Sequence, residues 1–322
     1  MLMDNSSATQ EQTPQKSSAT SSPSPRAGKT TSGGSRAQQS HSGSSEVHRS
    51  SKHQSSGARK RPFKTSPAVK NGWITDQHGS WGMAFFPLIA GLILAPLSAV
   101  HILLALAWTS GFLFFGAAEK WVKFHFRTRY RKSTTTYAII TGLLGIPLLI
   151  ARPTLVSWAL VYIPLVAIAA ITAWQRKERG MLSRTATIAA STLLVPVAAS
   201  ISTAEVFWQS SPLMTHAWFL WCLLFTYFLL TVPYVKTLIR KRRSNPWLIG
   251  SITAHAIAFA VILLLFTRGL VSPWHLLAWA VTLGRAVGMP VSARLRAKPW
   301  PPRAIGLPEI ALSALIVVTL PY

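Results

Sequence analysis

Basic residues arrive in bursts along this chain, and between the bursts lie apolar stretches of about 18–22 residues. A stretch of that length, wound as a helix, crosses the ~30 Å hydrocarbon core of a bilayer. Hydrocarbon offers no water to unpaired backbone groups, so a chain built of such stretches folds as a bundle of helices. The pattern also settles an ambiguity of composition. With 33 Lys and Arg against 8 Asp and Glu, and a formal charge of +25, the chain could pass for a nucleic-acid binder. Yet 49 % of it is hydrophobic, and the charges sit between the apolar runs rather than on them. The expectation is an all-α polytopic membrane protein that makes no specific contact with nucleic acid.

Apolar windows place about nine spans, near 81–99, 100–118, 137–152, 154–174, 185–207, 214–234, 248–267, 270–287 and 305–321. Residues 1–70 precede this bundle at 71–322. They hold 18 serines and, of Leu, Val, Ile and Phe, only Leu2, Val47, Phe63 and Val69. Such a segment buries too little apolar surface to offset chain entropy, and a disordered basic tail is expected. It lacks the apolar core of a secretory signal, so it is expected to be retained. Its last basic residues, Arg59, Lys60, Arg61, Lys64 and Lys70, stand beside the membrane and suit anionic lipid. An orientation signal explains them equally well.

Alternate connections are basic. Twenty Lys and Arg fall in 119–136, 175–184, 235–247 and 285–304, whereas the intervening connections hold Arg152 and Arg268. The positive-inside rule then puts the N-terminus in the cytoplasm and, with an odd number of spans, Tyr322 outside. A plasma-membrane location follows for a chain of bacterial type. The single cysteine, Cys222, lies within an apolar run and permits no intrachain disulfide.

Beyond the tail five acids remain: Asp76, Glu119, Glu178, Glu205 and Glu309. All but Glu205 fall at the basic mouths of spans. With the segment "DQHGSWGM" they suggest a pocket open to the cytoplasm, in which His78 and Glu119 act as catalytic or hydrogen-bonding groups. Asp76, Gln77, Lys236, Arg240 and Glu309 would hold a ligand. Lys236 and Arg240 stand one helical turn apart and would fix an anionic headgroup. Capping and interfacial pairing are the plainer explanation for any single acid. His101, His216, His255 and His275 have no acid at ligand spacing, and no HExxH, CxxC, P-loop, GxSxG or dinucleotide motif occurs. No metal is expected, and no cofactor is indicated. Membrane lipids, anionic ones above all, are the expected partners.

The stretch "WITDQHGSWGMAFFPLIAGL" resembles the opening of the YwiC-like family of integral membrane proteins. "VPYVKTLIRKRR" and "KPWPPRAIGLPEI" are similar to later landmarks of that family, and the likeness covers residues 71–322. It implies a multi-pass fold and no particular activity. A remoter likeness is to the UbiA superfamily of intramembrane prenyltransferases, which implies nine helices and functional loops after the second and sixth spans. The Asp-rich motifs of those loops are replaced here by "GAAEKWVKFHFRTRYRK" and "YVKTLIRKRRSN". Three functional classes remain open: a lipid-site protein or degenerate prenyltransferase-like enzyme, a small-solute or ion transporter, and a non-catalytic scaffold.

Overall fold

The computed structural model describes residues 66–75, 78–296 and 299–322, with the backbone alone at His78. The tail before residue 66, Asp76, Gln77 and Lys298 therefore lie outside the described residues. Among those described, the secondary structure is helical throughout. A short turn, α1 (Pro67–Lys70), precedes α2 (His78–Leu94), α3 (Ala99–Lys123) and α4 (Thr128–Ala151). A 3-10 turn at Pro153–Trp158 leads into α5 (Ala159–Trp174), followed by α6 (Met181–Thr192) and α7 (Leu194–Thr203). The chain ends with α8 (Pro212–Ile239), α9 (Asn245–Thr267), α10 (Pro273–Leu295) and α11 (Pro302–Val318). Seven rods are long and apolar enough to cross a membrane: α3, α4, the turn with α5, α6 with α7, α8, α9 and α10. A shorter apolar helix runs over Gly79–Leu94.

Outward faces carry the apolar surface that a bilayer requires. Ile139, Leu143, Ile146 and Ile150 on α4 are exposed, as are Leu160 and Ile163 on α5 and Ile257, Val261 and Leu264 on α9. In water this surface would drive aggregation; against lipid tails it costs nothing. The fold is that of an all-α polytopic membrane protein.

Local chemistry explains the helix ends. Ser211 and Ser272 each precede a proline at the first helical position and accept from the backbone N–H of Met214 and His275 at 3.3 and 3.2 Å. The rod spanning 181–203 is broken between α6 and α7 at Leu193. Pro196 accounts for the break, because it lacks an N–H and crowds the carbonyl four residues back. Residues 67–70 are helical, and Lys120 donates to the carbonyls of Val69 and Ile74 at 3.3 and 3.2 Å.

Side-chain contacts identify two ends of the bundle. At one, Lys123 pairs with Glu178 at 2.5 Å, and Arg294 donates to Asn245 and to the Arg242 and Ser244 carbonyls. At the other, Arg152 donates to the Ile201 carbonyl and His216 to that of Pro321. The histidines buried in the spans serve structure. The Ser98 N–H donates to His101 Nδ1, so Nε2 carries the proton and donates to the Ala198 carbonyl at 3.0 Å. Trp279 donates to His275 Nε2, leaving Nδ1 to donate to Thr319.

The core centres on α7, whose residues 194–201 are all buried. Helix α2 crosses it at Gly91. A Cβ there would meet the Leu194 carbonyl oxygen at 2.8 Å and Ala198 Cβ at 3.0 Å. Gly91→Ala is expected to cost roughly 1–3 kcal/mol, the range for overpacking. Gly142 on α4 has no neighbour within 4 Å of its would-be Cβ, so Gly142→Ala should leave stability unchanged. Thermal unfolding of both variants in one detergent tests the contrast, and equal melting would show that the α2–α7 crossing gives way.

Candidate functional site

Two cavities flank the first turns of α2. The first, of about 430 Å³, lies between α2, α6, α8 and α11. Its rim carries four cations: Arg179 before α6, Arg184 within α6, Lys236 on the last turn of α8, and Arg240 at its cap. Below them the lining is mostly apolar, with Met83, Phe228, Val232, Val235, Ile305 and Ile310, and Thr231, Ser313 and Glu309 as its polar members. Gly79, Ser80 and Gly82 bring the start of α2 against the same space. The second cavity, of about 300 Å³, lies between α2, α3, α5 and α6, and holds Glu119, Glu178 and Arg184 near its mouth. Ser80, Met83 and Arg184 line both.

The residues expected from sequence to form one pocket are thus divided. Lys236, Arg240 and Glu309 line the first cavity, and Glu119 lines the second. Asp76 and Gln77 lie outside the described residues. His78 opens α2, and its neighbour Gly79 lines the first cavity. Among the described residues no group of His, Cys, Asp and Glu is placed to hold a metal ion.

Glu309 differs most from expectation. It lies not at a helix mouth but two turns into α11, where it pairs with Arg285 of α10. Arg285, counted from sequence among the connection charges, is inside the bundle with its side chain only 7 % exposed. Its guanidinium stacks 4.2 Å from the centre of the Tyr234 ring. Arg285 Nε and Nη2, Glu309 Oε2 and His255 Nε2 have no hydrogen-bond partner among the described residues. Hydrocarbon makes each such orphan costly, so this cluster is the main polar liability of the bundle. His255 is half satisfied, through Nδ1 and the Ser251 carbonyl at 2.7 Å.

Arg179 and Arg184 were legible only as positive charges of a connection. The sign that Arg184 belongs to a site is its place one turn into an apolar helix, where a cation is costly without a role. Lys236 is held partly by stacking over Trp247, at 5.1 Å from the ring centre.

Removing one partner of the buried pair should cost roughly 3–5 kcal/mol, because the survivor is left charged and unpaired. Arg285→Leu and Glu309→Leu singly should therefore each be less stable than the Arg285→Leu/Glu309→Leu double variant. Unfolding of the three proteins in mixed micelles checks the order, and additive losses would mean that the two groups do not interact.

Glu178, in the connection before α6, yields a pH dependence. Burial pushes its carboxyl up. The hydrogen bond from Lys123, its own backbone N–H, and the charges of Lys123 and Arg179 outweigh burial and hold it below the ordinary carboxylate range. A depressed carboxylate contributes stability above its unfolded pKa of ~4.3, and that contribution is lost as pH falls through the folded value. Melting followed from pH 7 to pH 3 should show a steeper acid limb for the natural chain than for Glu178→Gln. Superimposable limbs would mean that the Lys123 bridge contributes nothing.

Comparison with known proteins agrees with this architecture. The family model described as YwiC-like protein matches residues 74–199, which run from the approach to α2 through most of α7. An uncharacterized protein of Haemophilus influenzae is 26 % identical over 251 residues, covering 77 % of this chain and 96 % of the relative. No solved structure matches. Over residues 74–199 this polytopic membrane chain is thus similar to the YwiC-like family.

Proposed function

We propose that this multi-pass protein binds the anionic headgroup of an amphipathic membrane lipid in the cavity between α2, α6, α8 and α11. One observation carries the reading: Arg179, Arg184, Lys236 and Arg240 rim a cavity whose lining is mostly apolar. Its acid among the described lining residues, Glu309, is engaged by Arg285; Glu119 and Glu178 partly offset Arg184 and Arg179 from the α3 side, and Lys236 and Arg240 leave the rim net positive. Guanidinium forks and an ammonium suit phosphate oxygens, and the apolar floor suits a chain attached to them. Mg²⁺-dependent diphosphate chemistry of the prenyltransferase kind would need a carboxylate cluster, and the cavity's donor set is cationic. Binding is therefore the supported role. In this reading all the helical rods from α2 to α11 cross the plasma membrane, nine in number, with the basic end in the cytoplasm and Tyr322 outside.

Transport has support of a different kind. A buried ion pair with orphaned polar atoms, and a rod broken at Leu193, are features that transporters use to build mid-membrane sites. Flux of small ions into vesicles holding the purified protein, lost in Glu309→Gln, would favour it over lipid binding.

Mass spectrometry of lipid retained by the purified protein tests the main reading. Anionic lipid should dominate, and Lys236→Ala/Arg240→Ala should lower its retention at least tenfold with membrane insertion intact. Retention of neutral lipid only, or no change in the double variant, would discard the site. Reporter fusions at residue 180 and after Tyr322 should report cytoplasm and exterior respectively; the same side at both positions would refute the nine-crossing topology.

A further inference from the structure

The second cavity is built differently from the first. On α3, Trp108, Phe112, Phe115 and Glu119 recur at helical spacing and form one stripe along its wall. From Trp108 to Glu119 that stripe is ~16 Å long, at 1.5 Å per residue. The cavity is thus a slot with an apolar, aromatic depth and a polar mouth. Helix α5 closes the far wall with Tyr162, Leu165 and Ala169.

Its mouth is close to charge balance. Glu119 and Glu178 face Arg184, while Lys123 bridges Glu178 at 2.5 Å and Arg179 approaches it at 3.9 Å. Two carboxylates repel an anionic head, and three cations repel an ammonium. A neutral head fits.

Hydrogen bonding narrows the choice further. Trp108 donates to the Ala84 carbonyl at 2.9 Å, Tyr162 to that of Ala190 at 3.0 Å, and Thr187 to that of Ser183 at 3.0 Å. Ser191 donates to the Met83 carbonyl. Tyr162, Thr187 and Ser191 thus spend their hydrogens on backbone and turn lone pairs to their surroundings, while Trp108, a donor only, has its hydrogen already engaged. Glu178, more than nine-tenths buried at the mouth, has an Oε2 with no partner among the described residues. A buried acceptor without a donor is costly, and a ligand that supplies the donor removes that cost. We propose that this slot binds a neutral lipid ending in a hydroxyl group. Its chain lies along Trp108, Phe112 and Leu165, and its hydroxyl donates to Glu178 Oε2. The site is separate from the basic cavity and takes a ligand of different charge, although Ser80, Met83 and Arg184 form a common wall.

The test uses the full chain in vesicles with two photoactivatable probes, dodecanol and dodecyl phosphate, each with a diazirine at the chain end. Mass spectrometry should map dodecanol labelling to peptides containing Trp108–Phe115 and Leu165–Ala169. Unlabelled dodecanol should compete for that labelling, and dodecyl phosphate should not. Glu178→Leu, which removes the acceptor, should lower labelling at least tenfold. Because it also breaks the Lys123 bridge, Ala169→Phe, which fills the slot while leaving that bridge in place, should lower labelling as much with unchanged melting. Labelling that persists in both variants, maps elsewhere, or yields equally to dodecyl phosphate overturns the proposal. The two sites fail separately: if dodecyl phosphate labels nothing that Lys236 and Arg240 control, the basic cavity loses its ligand and the slot keeps its own.

Discussion

The crossing of α2 over α7 at Gly91 is the contact on which the interior depends. Backbone meets backbone there with no room for a Cβ, and the crossing sets how closely α2 approaches the buried centre of the bundle. In hydrocarbon, helices gain little by hiding apolar surface from one another, so close packing of small residues has to hold them together. Both cavities lie beside the first turns of α2, and a shift of that helix would widen one as it narrowed the other.

A second regularity concerns polar groups. Within the spans, hydroxyls, indoles and imidazoles mostly settle on backbone carbonyls or on each other, as in the Trp279–His275–Thr319 chain. Lipid enforces this, since a polar atom facing it without a partner loses the whole energy of a hydrogen bond. The exceptions then gain meaning. Among the described residues the charged side chains left with orphaned atoms are Arg285, Glu309 and Glu178; the others, on Trp121, Thr154, Trp221, Ser251 and His255, belong to neutral groups.

Much of the architecture was legible in the chain. Runs of apolar residues long enough to cross a bilayer announced the helices, whereas the Ser-Pro caps that begin α8 and α10 emerge only from the structure. Site geometry was legible only in part. The spacing of Lys236 and Arg240 put both on one face of α8, and the structure places them on one rim. Glu309 and Arg285 misled, because each lies near the end of an apolar window and reads as a connection charge until α10 and α11 are seen side by side. Pairing between helices distant in sequence leaves no periodic trace along either one. The division of the expected pocket into two had the same origin: Glu119 and Arg240 share an end of the bundle, but α2 stands between them.

The break at Leu193 divides one rod into halves with unlike surroundings. The α7 half is walled in by protein along its length, whereas the α6 half carries Arg184 and borders both cavities. Pro196 removes one backbone bond, that to the Thr192 carbonyl, while Leu193 still donates to Ala189 and accepts from Val197 across the joint. One nearly continuous helical path thus serves two ends: a substitution in the α6 half alters a cavity wall, whereas one in the α7 half alters the buried centre of the bundle.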